Sequence, residues 1–227
     1  MCNKSCIDFG ESNLRKEHIY GKSVIEVGSH NVNGSLRSIV ESFEPNNYVG
    51  VDITMGPGVD QICKAEDLID KYGINKFDVL ISTELLEHVL NWKRCIHNFK
   101  QIIKPGGILL VTTRSIGFNY HGYPYDFWRY EISDMEIIFE DFNIELLEKD
   151  PLGAGVFLFA RKPLSFIETK MTNHKLFSIL SKKKSSILLN FIYGSIRRLF
   201  KSGKYFILHP IGIPAMIRRK LNRSNNY

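Results

Sequence analysis

The feature that most constrains the fold is an alternation of short apolar runs with helical patterns between residues 23 and 163. Four runs rich in β-branched residues read as buried strands, namely SVIEVG, NYVGVDI, FDVLIST and GILLVTTR. Between them, apolar residues recur at helical spacing over residues 33–43, 64–73 and 84–104. This alternation predicts a doubly wound α/β domain with a parallel sheet.

Two later runs depart from that pattern. FNIELLEK and GVFLFARK are separated only by the turn sequence DPLG, and strands joined by such a short Pro/Gly turn pair antiparallel. We therefore expect a Rossmann-like, mostly parallel seven-stranded sheet that ends in a C-terminal antiparallel hairpin. In such a sheet ligands bind beyond the carboxyl ends of the strands, so the residues that follow each strand are the candidates for a site.

Charge divides the chain into an acidic body and a basic tail. Residues 1–163 hold 17 Lys and Arg against 23 Asp and Glu, whereas residues 164–227 hold 13 Lys and Arg against one acidic residue, Glu168. We divide the chain into an N-terminal helical lead-in (1–22), a ligand-binding domain (23–163) and a basic amphipathic helical extension (164–227).

The basic extension has two interpretations. Its apolar runs are too short to span a bilayer, and basic clusters flank them over residues 182–223. A helix lying on an anionic membrane surface fits this pattern, and so does a helix packed on the body or on a second subunit. The apolar face is too wide for a nucleic-acid partner, which we do not expect.

The N-terminus and the cysteines exclude several classes of protein. The start, MCNKSCIDFGESN, lacks the apolar core of a signal peptide, so we expect a cytoplasmic protein, with the basic extension as an optional attachment to the inner face of the membrane. The four cysteines are unevenly spaced and do not form a disulfide framework. No second cysteine pair with ligand spacing follows Cys2 and Cys6, and we predict no metal site.

Residues after the first two strands form a candidate cofactor site. Gly28 ends the first strand, where a glycine lets the chain turn sharply and lets a ligand approach the main chain. The helix that begins near Asn33 offers free N–H groups. Asp52 ends the second strand, 24 residues after Gly28. A carboxylate at that place can accept hydrogen bonds from both hydroxyls of a ribose.

Five motifs make a family resemblance specific: IEVGS, YVGVDI, KAEDL, FDVLISTELLEHV and IKPGGILLVTT, in this order. Together they resemble the class I S-adenosylmethionine-dependent methyltransferases over residues 23–163. The resemblance implies S-adenosylmethionine as the cofactor and methyl transfer as the activity. The cofactor-binding residues that it implies are Glu26, Gly28, Ser29, His30, Gly34, Asp52, Ile53, Ala65, Glu66 and Thr83.

The resemblance also assigns parts of the cofactor to these residues. It puts the ribose at Asp52, the adenine near Ile53, Ala65 and Glu66, and the methionine part near Thr83 and Glu84. Two positions depart from the family pattern. His30 stands where a second glycine is usual, and Lys64 stands where an acid often reads the adenine, which leaves the main chain or Asp67 for that role.

Three residues are candidates for a general base. Methyl transfer from a sulfonium mainly requires an oriented acceptor, and a base is needed only where the acceptor must lose a proton. His88 follows Glu84 by four residues, so a continuous helix would put both on one face. His88 fits a base as well as it fits a capping or packing residue. His121 and Asp126, after the fourth strand, are equally plausible bases.

The loop GFNYHGYPYDFWRY (residues 117–130) should overhang the site. Its segment PYDFWRY resembles the active-site loop of methyltransferases associated with polysaccharide biosynthesis. We therefore expect O-methylation of a sugar or glycan intermediate, with substrate contacts from Tyr125, Trp128, Arg129 and Tyr130. The alternatives are a hydrophobic lid for the loop, and for the protein either methylation of a small lipophilic metabolite such as a quinone or a non-catalytic binding module.

Overall fold

The structure is a computed structural model that describes residues 3–122 and 125–186. Two helices, α1 (Lys4–Asn13) and α2 (Lys16–Ile19), precede the sheet. The side chain of Asn3 caps α1 by accepting a hydrogen bond from the Cys6 N–H at 3.0 Å. The amphipathic pattern of the tail beyond residue 186 lies outside the described residues.

The six predicted strands appear in the predicted order, and two short strands, over residues 61–62 and 128–129, were not predicted. The strands are β1 (Ser23–Val27), β2 (Asn47–Asp52), β3 (Gln61–Ile62), β4 (Phe77–Thr83), β5 (Ile103–Arg114), β6 (Trp128–Arg129), β7 (Asn143–Lys149) and β8 (Gly155–Arg161). The helices are α3 (Arg37–Ser42), α4 (Leu68–Tyr72), α5 (Trp92–Ile102) and α6 (Ile132–Ile138). Two short 3-10 turns, Ala65–Asp67 and Leu86–His88, lie before α4 and α5.

The seven-stranded sheet has the order β3-β2-β1-β4-β5-β8-β7. β1, β2, β3, β4 and β5 run parallel, and β8 pairs antiparallel with both β5 and β7. The predicted sheet and its closing hairpin are therefore confirmed. The order of connection reverses between β1 and β4, so the carboxyl ends of β1, β2, β4 and β5 border one crevice.

Helices cover both faces of the sheet, as strands buried on both sides require. On one face α1 and α3 enclose a core in which the rings of Phe9 and Phe157 lie 5.0 Å apart. α1 approaches closely because residue 10 is glycine: a Cβ there would lie 2.3 Å from a methyl carbon of Leu36. On the other face α4, α5 and α6 pack around Trp92, Phe99 and neighbouring apolar side chains.

The prediction of a helix over residues 84–104 is wrong for the first half of that range, because α5 begins only at Trp92. Glu84 has a left-handed backbone, with φ +55°, and its carboxylate forms an ion pair with Arg114 on the neighbouring strand. The chain then makes the 3-10 turn that ends at His88. α5 begins only at Trp92, where Asn91 caps it by accepting from the Arg94 N–H at 3.3 Å. Glu84 and His88 therefore do not share a helical face.

The described part of the basic extension is not helical, which corrects that expectation for residues 164–186. It contributes two strands, β9 (Leu176–Ser178) and β10 (Lys183–Ser185). β9 pairs antiparallel with β6 and with β10 in a second, three-stranded sheet. The segment is extended because its main chain pairs with β6, and its apolar side chains Leu176 and Ile179 are buried. Within the described ranges, no helix has the length and apolarity to cross a membrane.

Replacement of Leu176 by alanine tests whether this segment belongs to the folded body. Leu176 is fully buried, so we expect Leu176→Ala to lower the free energy of unfolding by about 2–5 kcal/mol in denaturant titrations. Leu164 lies in the same segment and is 84% exposed, so Leu164→Ala is the matched control and should change stability by less than about 0.5 kcal/mol. Equal effects of the two substitutions would contradict the packing described.

Candidate active site

Gly28 makes the sharp turn that follows β1. Its backbone is left-handed, with φ +83°, and a Cβ at this position would lie 3.1 Å from Leu85. Both constraints favour glycine. The N–H groups of Gly28 and Ser29 donate to the carbonyl of Val51, at 2.9 and 3.1 Å, and hold the turn against the end of β2. The side chain of Ser29 is buried beside Gly50.

Asp52 ends β2 at the same edge of the sheet. One carboxylate oxygen accepts from the N–H groups of Ile53 and Thr54, at 2.7 and 3.4 Å. The other accepts from the N–H of His30 at 3.3 Å. A carboxylate has about four acceptor positions, so the second oxygen keeps one for a further donor. The side chain of Ile53 is 53% exposed beside it and offers an apolar surface.

His30 stands in place of the usual second glycine, and its imidazole packs against a glycine in another segment of the chain. A Cβ at position 56 would lie 2.4 Å from Nε2 of His30, so Gly56 makes room for the imidazole. Gly34 has φ +137°, and its N–H donates to the side chain of Asn31 at 3.0 Å. Sequence reasoning missed the pairing of His30 with Gly56 because the pairing is not local.

The 3-10 turn Ala65–Asp67 is fastened to α5. The carbonyl of Ala65 accepts from the side-chain amide of Asn98 at 2.9 Å, and the carbonyl of Glu66 accepts from Arg94 at 2.6 Å. Arg94 also lies 3.7 Å from the Asp67 carboxylate. Lys64 is exposed. Adenine recognition by this turn stays a prediction. If Asp67 bound the adenine, its carboxylate would also stay close to the guanidinium of Arg94.

Glu26 lies inside the domain. It is 2% exposed, and the hydroxyl of Tyr48 donates a hydrogen bond to its carboxylate. Burial raises the pKa of Glu26 to about 7, although the bond from Tyr48 works in the opposite direction. Contact of Glu26 with a cofactor stays a prediction. Its observed role is to join β1 to β2 beneath the Gly28 turn.

At the end of β4, Thr83 is buried and Glu84 turns inward. The carboxylate of Glu84 accepts from the Thr112 hydroxyl at 3.2 Å and is paired with Arg114. Arg114 also forms an ion pair with Asp150 at 3.1 Å. This buried network fixes the end of β4 to β5 and to the hairpin. Sequence analysis did not identify Arg114 or Asp150, because their partners are distant along the chain.

The structure brings His88 and His121 together, with ring centroids 4.8 Å apart. Glu87 lies between them: its Oε1 atom is 3.8 Å from Nε2 of His88 and 3.6 Å from Nε2 of His121. We call Glu87, His88 and His121 the histidine cluster. Sequence analysis singled out both histidines separately and missed Glu87, for which the signal available in the sequence was its place next to His88.

Hydrogen bonds orient both imidazoles from outside the cluster. Nδ1 of His88 bonds to the carbonyl of Tyr125. Nδ1 of His121 lies 3.1 Å from a carboxylate oxygen of Asp126, and that oxygen also accepts from the His121 N–H at 2.8 Å. Asp126 in turn forms two hydrogen bonds with Arg129, at 2.5 and 2.8 Å.

These partners set the protonation states of two of the base candidates. Burial alone would lower the pKa of His121, but the neighbouring carboxylates of Asp126 and Glu87 raise that pKa to about 9. Burial alone would raise the pKa of Asp126, but Arg129 and His121 hold it below the usual range. Asp126 is therefore a weak proton acceptor, and its observed role is to position His121.

Three of the four predicted substrate-binding side chains are fully buried. The indole N–H of Trp128 donates to the carbonyl of Val89 at 3.0 Å, and the hydroxyl of Tyr130 donates to the carbonyl of Leu86 at 3.3 Å. Arg129 is enclosed with Asp126. These side chains have no surface on which an acceptor could stack, so we correct their assignment from substrate contact to support of the loop. Tyr125 is 43% exposed, and its contact with substrate stays a prediction.

The pKa of Glu26 predicts a pH-dependent stability. An acid whose pKa is raised by folding binds its proton more tightly in the folded state, so stability falls as the pH rises from about 4.5 to about 7. We expect the free energy of unfolding of the native protein to fall by about 3 kcal/mol between these pH values, and that of Glu26→Gln not to fall. Denaturant titrations at a series of pH values measure both. Glu136→Gln, on the exposed side of α6, should leave the pH profile unchanged. If Glu26→Gln changed the free energy of unfolding by the same amount at every pH, the pH dependence could not be assigned to Glu26.

Solved structures share this fold at low sequence identity. One is the Burkholderia thailandensis 1,6-didemethyltoxoflavin-N1-methyltransferase, with 11% identity over 71% of this chain and 80% of that chain, and a TM-score of 0.58. A chain of the complex between the Haloferax volcanii Trm112 methyltransferase activator and a methyltransferase has 12% identity over 72% and 91%, also with a TM-score of 0.58. The cyclase SpnF has 16% identity over 70% and 80%, with a TM-score of 0.55.

Sequence comparison gives the family. A search of curated proteins found no match. The protein family described as a methyltransferase domain matches residues 4–145, which is more than half of the chain and includes all five strands β1 to β5. The fold, the strand-end glycine and the strand-end acid agree with that match. The chain therefore belongs to the methyltransferase-domain family and is a methyltransferase that uses S-adenosylmethionine.

Proposed function

We propose that this methyltransferase methylates a hydroxyl oxygen of a sugar or glycan intermediate. The observation that carries the proposal is the position of the loop after β5, which sets the ring of His121 and the main-chain carbonyl of Tyr125 against His88 in the turn after β4. The side chain of Tyr125 is 43% exposed in the same loop. An exposed phenol ring and polar imidazoles suit a sugar, whose faces are apolar and whose edges carry hydroxyls. The resemblance of the segment PYDFWRY to loops of polysaccharide-associated methyltransferases supports the same choice.

The residues at the ends of β1 and β2 fit the cofactor. Gly28 keeps the turn free of a Cβ, and Asp52 has an acceptor position left for a ribose hydroxyl. Ile53 offers the exposed apolar side chain that an adenine ring would cover. When bound, S-adenosylmethionine supplies an electrophilic methyl group on its sulfonium.

The acceptor side has a different task. Because the donor is already activated, the protein has to hold the acceptor oxygen in line with the methyl group and keep it there. In our proposal the acceptor hydroxyl lies against the histidine cluster, and Tyr125 contacts the adjoining face of the sugar. The buried pair of Asp126 and Arg129 gives this surface a fixed shape. The role of His88 as the proton acceptor stays a prediction.

The basic extension bears on where such an acceptor is met. Glycan intermediates linked to lipids lie at membrane surfaces, and attachment through residues 182–223 would suit them. This attachment stays a prediction from the charge pattern, because most of that range lies outside the described residues.

Calorimetric titration with S-adenosylmethionine tests the cofactor half of the proposal. We expect the native protein to bind the cofactor and Asp52→Ala to weaken binding by about tenfold to a hundredfold, because a charged hydrogen-bond acceptor is lost. Glu145→Ala removes an acid that is paired with Arg161 on the closing hairpin, and it should bind as the native protein does. Failure of the native protein to bind would refute the proposed function.

A panel of acceptors tests the acceptor half of the proposal. With isotopically labelled donor, we expect label to enter glycan acceptors and not quinones. Tyr125→Ala should raise the KM for the glycan by about twofold to tenfold, the value of one ring contact, with a smaller change in kcat. Tyr20→Ala, an exposed tyrosine after α2, is the control. Transfer to quinones alone would replace the glycan proposal with methylation of a lipophilic metabolite.

A further inference from the structure

The histidine cluster has the arrangement of a metal site. One ligand atom from each of Glu87, His88 and His121 lies within 4.8 Å of the other two. The distances from Oε1 of Glu87 to the two Nε2 atoms are 3.6 and 3.8 Å. Ligands that share one ion at about 2.0–2.2 Å stand roughly 3.0–3.5 Å apart. Small side-chain movements would bring all three atoms to bonding distance.

Glu87 gives a second and independent indication. Its side chain is fully buried, and Oε2 accepts from the Thr113 hydroxyl at 2.9 Å. Oε1 is buried as well and accepts no hydrogen bond from any residue in the described ranges. A buried carboxylate oxygen without a partner is costly, and a cation between the two imidazoles would satisfy it.

The outer partners of the histidines point the same way. The carbonyl of Tyr125 and the carboxylate of Asp126 only accept hydrogen bonds, so Nδ1 of each imidazole carries a proton. Nε2 of each ring therefore faces Oε1 of Glu87. A metal ion bound to both Nε2 atoms would take the place of the Nε2 proton of His121 and balance the charge of the Glu87 carboxylate. A metal-bound histidine typically donates its other N–H to a carboxylate or a carbonyl in this manner.

We propose that Glu87, His88 and His121 bind one divalent transition metal ion, with Zn²⁺ as the representative ion. Two imidazoles and one carboxylate form the ligand set of catalytic zinc sites and of other transition-metal sites with open positions. Mg²⁺ and Ca²⁺ prefer oxygen ligands and fit this set poorly. This proposal departs from our sequence-based expectation that the protein has no metal site.

The proposed ion lies where the acceptor is expected. The side chains of His88 and His121 are 20% and 17% exposed, so the cluster opens toward solvent on one side. The open coordination positions would take an oxygen of the acceptor, and a bound metal ion lowers the pKa of such an oxygen. This role of the ion rests on the proposed function, whereas the site itself does not.

Metal binding is measured on the full chain, stripped with a chelator and without donor or acceptor. We expect one equivalent of Zn²⁺ by calorimetry, and one equivalent of Co²⁺ by its visible absorption. Glu87→Gln, His88→Gln and His121→Gln should each weaken binding by about tenfold or more. Circular dichroism checks that each variant is folded. If one of them does not fold, the other two still decide the outcome.

His97→Gln is the matched control, because His97 also pairs with a carboxylate, that of Glu168 at 2.8 Å, but lies outside the cluster. It should bind metal as the native protein does. The proposal is overturned if the native protein takes up no Zn²⁺ or Co²⁺, as it would if protons alone balance the cluster. It is also overturned if the cluster variants bind like the control, or if Mg²⁺ displaces Zn²⁺ at equal concentration. Because no donor is present, failure of the metal site and failure of methyl transfer are separate results.

Discussion

The loop after β5, where we propose that the acceptor binds, depends on one buried ion pair, that of Asp126 with Arg129. Both side chains are fully buried, and they meet through two hydrogen bonds. The remaining donors of Arg129 reach the carbonyls of Phe118, Asn119 and Trp128, so the cost of taking two charges out of water is offset by a nearly complete set of partners. These bonds fold back the loop after β5, which places His121 beside His88 in the turn after β4.

The parts of the fold that the sequence predicted are those with a local physical signal. Strands buried on both faces need continuous apolar runs, and the turn after β1 needs a glycine with a left-handed backbone. Asp52 was identified for the same reason, since its position at the end of a strand is visible in the sequence. The hairpin of β7 and β8 followed from its short Pro/Gly turn.

The errors arose where a distant partner decides the conformation. Glu84 leaves the predicted helix because Arg114, on another strand, holds its carboxylate. Trp128 and Tyr130 are aromatic residues in a long loop, which suggests exposed stacking, but main-chain carbonyls after β4 accept their polar hydrogens. The proposed metal site could not be predicted from the sequence because its ligands come from two segments and because its clearest sign, a buried carboxylate oxygen without a hydrogen-bond donor, is visible only in the structure.

The small sheet has a consequence for the extent of the catalytic unit. β9 pairs with β6, and the N–H of Ile179 donates to the carbonyl of Phe127 at 3.0 Å, directly beside Asp126. The boundary drawn from charge at residue 163 therefore separates segments that form one structure. The strand ends at which we expect the cofactor lie before that boundary. The loop after β5, where we propose that the acceptor binds, pairs with a segment beyond the boundary that composition alone would assign to a tail.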